Sequence, residues 1–110
     1  MNNLSVSSEA QDDLRSIKEY ISNELDNPSA ANRTLSNITK RIRSLEIFPE
    51  IGASLSTIVG FETAYRFLVS ENYLIIYKYV DKLISVVRIF FGKRDYIAIL
   101  FGEIPDNKTE

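Results

Sequence analysis

Residues 65–92 read YRFLVSENYLIIYKYVDKLISVVRIFFG. Tyr65–Val69, Tyr73–Val80 and Ile84–Phe91 are dense in β-branched and aromatic residues, the composition of strands. Ser70-Glu71-Asn72 and Asp81-Lys82-Leu83 separate them, and gaps this short suit hairpin connections. The stretch therefore predicts a three-stranded antiparallel meander, with Gly92 closing its last strand. Toward the C-terminus, Asp95 is placed to cap a short final helix through Ala98 and Leu100.

Working back toward the N-terminus, Ile51–Phe61 holds Gly52, Gly60 and several Ser and Thr, and reads as a loop with at most a short helical turn. Before it, Ala31, Leu35, Ile38, Ile42, Leu45 and Phe48 form a stripe at helical spacing. Asn27 is a good N-cap, Pro28 suits the first helical position, and Pro49 ends the pattern. Ala10, Leu14, Ile17, Ile21 and Leu25 carry an earlier stripe. Ser7 or Ser8 can cap that helix, and Ser8 with Gln11 has the form of a capping box. The short connection makes the two helices an antiparallel hairpin. Leu4 and Val6 alternate with Ser5 and Ser7, as in a short opening strand. Neither helix is apolar all round, so each needs a partner surface, most simply the sheet. The expected class is α+β: an N-terminal strand, a helical hairpin, the meander and a short C-terminal helix, with the helices on one face of a small, mostly antiparallel sheet.

The chain has 110 residues, enough for one domain, expected over residues 1–102 with a polar tail at 103–110. Charges interrupt every apolar segment well before a membrane span, and no apolar stretch follows a basic N-terminal region. Neither a membrane anchor nor a signal peptide is expected, and the cytoplasm is the expected compartment. With no cysteine there are no disulfides and no thiolate chemistry. With no histidine, the commonest general base and metal ligand are missing, so no metal or other cofactor is expected. The net charge of −2 hides an asymmetry. Met1–Asp26 carries Glu9, Asp12, Asp13, Glu19, Glu24 and Asp26 against Arg15 and Lys18. Phe61–Tyr96 carries Arg66, Lys78, Lys82, Arg88, Lys93 and Arg94 against four acids. That implies a local basic patch, not a strongly basic nucleic-acid surface.

Three segments now bear comparison with a known family: Tyr65-Arg66-Phe67-Leu68-Val69, Asn72-Tyr73-Leu74-Ile75-Ile76-Tyr77, and Val87-Arg88-Ile89-Phe90-Phe91-Gly92-Lys93-Arg94-Asp95-Tyr96. Taken in order, they resemble the signature of the RelE/ParE toxins. Leu4-Ser5-Val6-Ser7 through Asp13-Leu14 and Ile17 resembles the family's first strand and helix. Phe48-Pro49-Glu50-Ile51-Gly52 resembles its loop after the second helix. The resemblance implies a growth-inhibiting toxin held inactive by a co-encoded antitoxin, with operator DNA reached only through that antitoxin. One branch of the family cleaves messenger RNA on the ribosome; the other, ParE-like, poisons DNA gyrase. The helical hairpin and the Gly92-Lys93-Arg94-Asp95-Tyr96 ending resemble the ParE-like branch.

Departures from the nuclease pattern point the same way. Arg66 and Arg94 match two basic residues of the nuclease cluster. Leu74 stands where the nucleases carry Arg, the late tyrosine position falls on Leu100, and Phe91 stands where many relatives carry His. A nuclease reading would use Arg66, Arg94 and Tyr96. A third reading is a non-toxic homologue that only binds an antitoxin.

Arg66, Arg88, Lys93 and Arg94 are the candidates for contacting the target or the antitoxin. Each also has a plainer reading. Arg66 and Arg94 can be solvated surface arginines. Arg88 lies on an open sheet face or pairs with a carboxylate such as Glu71 or Asp81. Lys93 is a solvated residue beside a glycine turn. Tyr65, Tyr73, Tyr77 and Tyr79 are expected to pack in the core or across strands rather than stack on bases.

Overall fold

A computed structural model of the chain describes residues 2–92, 100 and 101. The elements run β1 (Asn3–Val6), α1 (Ser8–Glu19), a π-helical turn (Tyr20–Glu24), α2 (Pro28–Ser44), β2 (Ala53–Ser54), α3 (Ser56–Val59), β3 (Arg66–Ser70), β4 (Tyr73–Val80) and β5 (Leu83–Phe91). The expected α+β fold is present. Among the described residues the sheet has five strands, in the order β1-β5-β4-β3-β2. The meander β3-β4-β5 is antiparallel and central, while β1 joins β5 in parallel. The two-residue β2, within the segment read as a loop, adds an antiparallel edge to β3 at Phe67 and Arg66. Asp95, Ala98 and the 103–110 tail lie outside the described residues.

Both hairpin turns use left-handed backbone. Asp81 and Lys82 have φ of 52° and 65°, and Glu71 has φ of 56°. Two successive positive-φ residues match the right-handed twist of the flanking strands, so a tight turn is possible even without glycine. A β-bulge interrupts β5. Ile76 pairs with Arg88 but Tyr77 pairs with Val86, which leaves Val87 as the extra residue. The bulge shifts the alternation, so Val86 and Ile89 both face the helices while Val87 and Phe90 face the other side.

The helical hairpin covers one face of the sheet. Ala10, Ile38, Ile42 and Leu45 pack with Leu68, Ile75, Tyr77, Ile84, Val86 and Ile89, all essentially buried. Each large aliphatic side chain contributes about 1.5–3 kcal/mol by leaving water. A second, smaller cluster lies on the opposite face, where Leu55, Ile76 and Phe90 are joined by Val59, Tyr65, Phe67, Leu74, Val87, Leu100 and Phe101.

The helix caps are partly as expected. Asn27 accepts a hydrogen bond from the Ala30 amide at 3.1 Å, with Pro28 at the first helical position. On α1 the cap is Ser7, whose hydroxyl accepts from the Ala10 amide and donates to the Val87 carbonyl. Ser8 forms no capping box; Gln11 reaches back instead to the Val6 carbonyl. The two apolar stripes overrun the sheet. Leu25 and Phe48 are 55% and 58% exposed because the chain turns away from the core before each of them. The π-helical turn fits the wider spacing of Ile17, Ile21 and Leu25. It is held by a bond from the Leu25 amide to the Tyr20 carbonyl, five residues back.

Candidate functional site

Arg66 opens β3, between Ser54 on one side and Tyr77 on the other. Its Nη2 donates to the carbonyls of Glu50 and Gly52 at 3.0 and 2.8 Å. Its Nε is buried and has no hydrogen-bond partner among the described residues. Tyr77, its cross-strand neighbour, grips the same loop. The Tyr77 hydroxyl accepts from the Gly52 amide at 3.0 Å and donates to the Pro49 carbonyl at 2.8 Å. Gly52 is needed there because a Cβ would stand 2.6 Å from both the Phe67 carbonyl oxygen and the Tyr77 hydroxyl. Arg66 is therefore an anchor for the Pro49–Gly52 loop.

Arg88 lies on β5, with β4 between it and Arg66. It pairs with Asp13 on α1, not with the expected Glu71 or Asp81. Nε and Nη2 donate to the two carboxylate oxygens at 2.8 and 2.9 Å. The Ile89 amide donates to the same carboxylate at 2.8 Å. The Asp13 hydrogen bond raises the Arg88 pKa above its already high ordinary value, against an opposing effect of burial. The guanidinium also sits 4.9 Å from the Phe90 ring centroid.

Leu74 belongs to the second apolar cluster and pairs in register with Val69 and Phe90. The tyrosines pack as structural residues. Tyr77 and Tyr73 are buried, Tyr79 donates to Asn2, and Tyr65 lies under Lys78 with its ring against Phe101. Lys93, Arg94 and Tyr96 fall outside the described residues. Of the nuclease set, only Arg66 can be placed.

Among the described residues, surface grooves adjoin these elements. Ser16, Ile17, Tyr20, Tyr73 and Phe91 line an apolar one of about 380 Å³. Asn37, Lys40, Arg41, Ser44, Val69, Ser70 and Glu71 line another of about 450 Å³ between α2 and β3. Sequence reading missed the second groove. A signal for it exists, because α2 carries Arg33, Lys40, Arg41 and Arg43 and no acidic residue. No signal of that kind marks Asp13, whose partner lies 75 residues away. Among the described residues no helix is long and apolar enough to cross a membrane.

Comparison with known families gives a match over residues 4–96 to the ParE toxin of type II toxin–antitoxin systems, parDE. The chain belongs to the ParE toxin family. Among solved structures, one of the chromosomal ParDE TA system from P. aeruginosa is 22% identical with a TM-score of 0.71. The match covers 84% of this chain and 98% of that one, and it shows the shared fold. A point mutant of YafQ from E. coli is 20% identical over 93% of this chain and 100% of its own, with a TM-score of 0.49. Curated protein sequences yield no match. In this ParE-family chain Arg66 and Arg88 both serve as structural ties, one to a loop and one to a helix.

Proposed function

We propose that this ParE-family toxin acts by binding a protein target, DNA gyrase, and that a cognate antitoxin neutralises it. The observation that carries the reading is the use made of Arg66. A nuclease of the related branch needs a basic residue there to stabilise charge developing on a phosphate. Here Arg66 Nη2 is held by two loop carbonyls, and the next position of that cluster is the apolar Leu74. Both are better suited to building a surface than to chemistry. The antitoxin would cover the helical hairpin or an exposed part of the sheet with a helix or an added strand.

Expression of the chain in a bacterial host is expected to arrest growth and induce the DNA-damage response while messages stay intact. Purified chain added to gyrase and supercoiled plasmid is expected to accumulate cleaved DNA. Codon-linked cuts in messenger RNA without DNA breaks would replace this reading with the ribosome-dependent nuclease. Normal growth at confirmed levels of folded protein would leave only a non-toxic, antitoxin-binding homologue.

A further inference from the structure

We infer that the loop from Ile47 to Ile51 is the surface through which the toxin engages its protein target, entering an apolar cleft there that is bordered by basic side chains. This rests on the protein-target reading above.

The loop follows Leu45, which is fully buried in the main core. Beyond it the chain turns away from the sheet, and Ile47, Phe48 and Ile51 are 70%, 58% and 52% exposed. One exposed apolar side chain is ordinary on a protein surface. Here three large ones fall within five residues and, with Pro49 and Tyr79, line one cleft of about 450 Å³. A contiguous apolar patch of this kind marks an interaction site, and an aromatic such as Phe48 suits its anchor.

The loop is also tied in place. The Ile47 and Phe48 amides donate to the Ser44 carbonyl, and the Ile51 amide donates to the Phe48 carbonyl. Asn2 donates to the Glu46 carbonyl, Tyr77 to that of Pro49, and Arg66 to those of Glu50 and Gly52. All of these bonds end on backbone carbonyls and leave the side chains of Ile47, Phe48 and Ile51 exposed. A surface fixed in this way has little conformational freedom to lose on binding.

Charge selects the occupant. Glu46 and Glu50 interleave with the apolar side chains, and among the described residues neither carboxylate forms an ion pair. Arg66, the cation tied to the loop, reaches its carbonyls and not these carboxylates. Arg43, one turn before Ile47, does not line the cleft, whereas Glu50 does. A second copy of the chain would set like charges against each other. The phosphates of a nucleic acid or of an anionic membrane would be repelled for the same reason. An apolar protein cleft with a basic rim matches both features of the loop.

The test uses the full chain in two variants, Ile47→Ser with Phe48→Ser, and Glu46→Lys with Glu50→Lys. Each is compared with the wild type for unfolding temperature, binding to purified gyrase, accumulation of cleaved plasmid, and binding to the product of the neighbouring reading frame. The apolar variant is expected to unfold at the same temperature as the wild type and to bind the neighbouring product equally well. It should bind gyrase about tenfold or more weakly and need correspondingly more protein for plasmid cleavage. The charge variant should also bind gyrase more weakly, and its binding should lose the fall with rising salt that the wild type shows. It leaves the apolar side chains and every backbone bond of the loop in place, so it decides the case if the apolar variant unfolds earlier. Undiminished gyrase binding and cleavage by both variants overturns the surface while the target reading stands. A wild type without effect on gyrase removes the target reading and this use of the loop with it. Loss of binding to the neighbouring product alone overturns the proposal in favour of an antitoxin contact. A wild-type dimer that the apolar variant disperses overturns it in favour of a second copy.

Discussion

Asp13 and Arg88 join the first helix to the last strand through a two-pronged ion pair, and the same carboxylate accepts the Ile89 amide. β1 ends at Val6, opposite Val86, so β5 loses its strand partner just where Arg88 begins. Ser7 and Asp13 take over, Ser7 bonding the Val86 and Val87 carbonyls and Asp13 the Ile89 amide. The α1 carboxylate thus continues the sheet edge in place of a strand.

Removing Asp13 strands a guanidinium only 26% exposed and a backbone amide with it. Asp13→Ala is expected to cost about 2–4 kcal/mol, and Asp13→Ala with Arg88→Ala less than the sum of the two single changes. Urea unfolding of the four proteins measures both quantities. A cost for Asp13→Ala within about 0.5 kcal/mol of zero would show the pair to be an ordinary surface contact. The pH dependence is fixed in sign. Because the Arg88 pKa is raised, its contribution is complete below the unfolded value and lost only as pH climbs past the folded one. Arginine titrates above about pH 12, so the Arg88 contribution is flat through the neutral range.

The Pro49–Gly52 loop gives a ranked pair of changes. Gly52→Ala places a methyl 2.6 Å from a strand carbonyl and from the Tyr77 hydroxyl, neither of which can move without shifting β3 or the core. A loss of about 3 kcal/mol or more is expected. Tyr77→Phe keeps the ring but leaves the Gly52 amide and the Pro49 carbonyl without their partner, for about 1–3 kcal/mol. Thermal unfolding should therefore rank wild type, Tyr77→Phe and Gly52→Ala in falling order. The reverse order of the two variants would mean that the hydroxyl, not the space, governs the loop.

The strands are legible in the sequence because β-branched and aromatic runs are a local property: their composition predicts β4 at Tyr73–Val80, and it spans those residues. What escapes is set by distant partners. Nothing near Ala53–Ser54 marks a strand, since two residues carry no period and β3 alone makes them one. Helical spacing predicts burial for Leu25 and Phe48, which are exposed, because periodicity carries no information about where the sheet beneath ends. Arg66 is visible as a basic residue in a family framework, but its tie to Glu50 and Gly52 depends on how the loop folds back. The basic stripe of α2 is a local feature; the β3 edge beside it, open among the described residues from Leu68 to Ser70, is not.

The β4–β5 turn carries its cost openly. Asp81 and Lys82 both have positive φ, a conformation that costs an L-residue with a side chain about 1–2 kcal/mol. Replacing the pair by Asn-Gly keeps the backbone and relieves the strain, so a gain of about 1 kcal/mol is expected. Differential unfolding in urea reads it. A loss of stability instead would reveal that the Asp81 or Lys82 side chain makes a contact worth more than the strain.

Tyr73 supplies the alkaline limit. Its ring forms part of the groove with Ser16, Ile17, Tyr20 and Phe91, and the residue is only 8% exposed. Burial first, then the negative charges of Glu71 and of ionised Tyr20, raise its pKa above the ordinary 10.0. Between that value and the folded pKa the unfolded chain has lost a proton that the folded chain still holds. The folded state then binds more protons, so stability falls as pH rises through this window. Below about pH 10 the group contributes no pH dependence. Tyr73→Phe should flatten the decline, and Glu71→Gln should flatten it in part by removing the second cause. Urea midpoints taken from about pH 8 to about pH 11 compare the three proteins. An unchanged slope in Tyr73→Phe would assign the alkaline loss to another tyrosine or lysine and remove Tyr73 from the account.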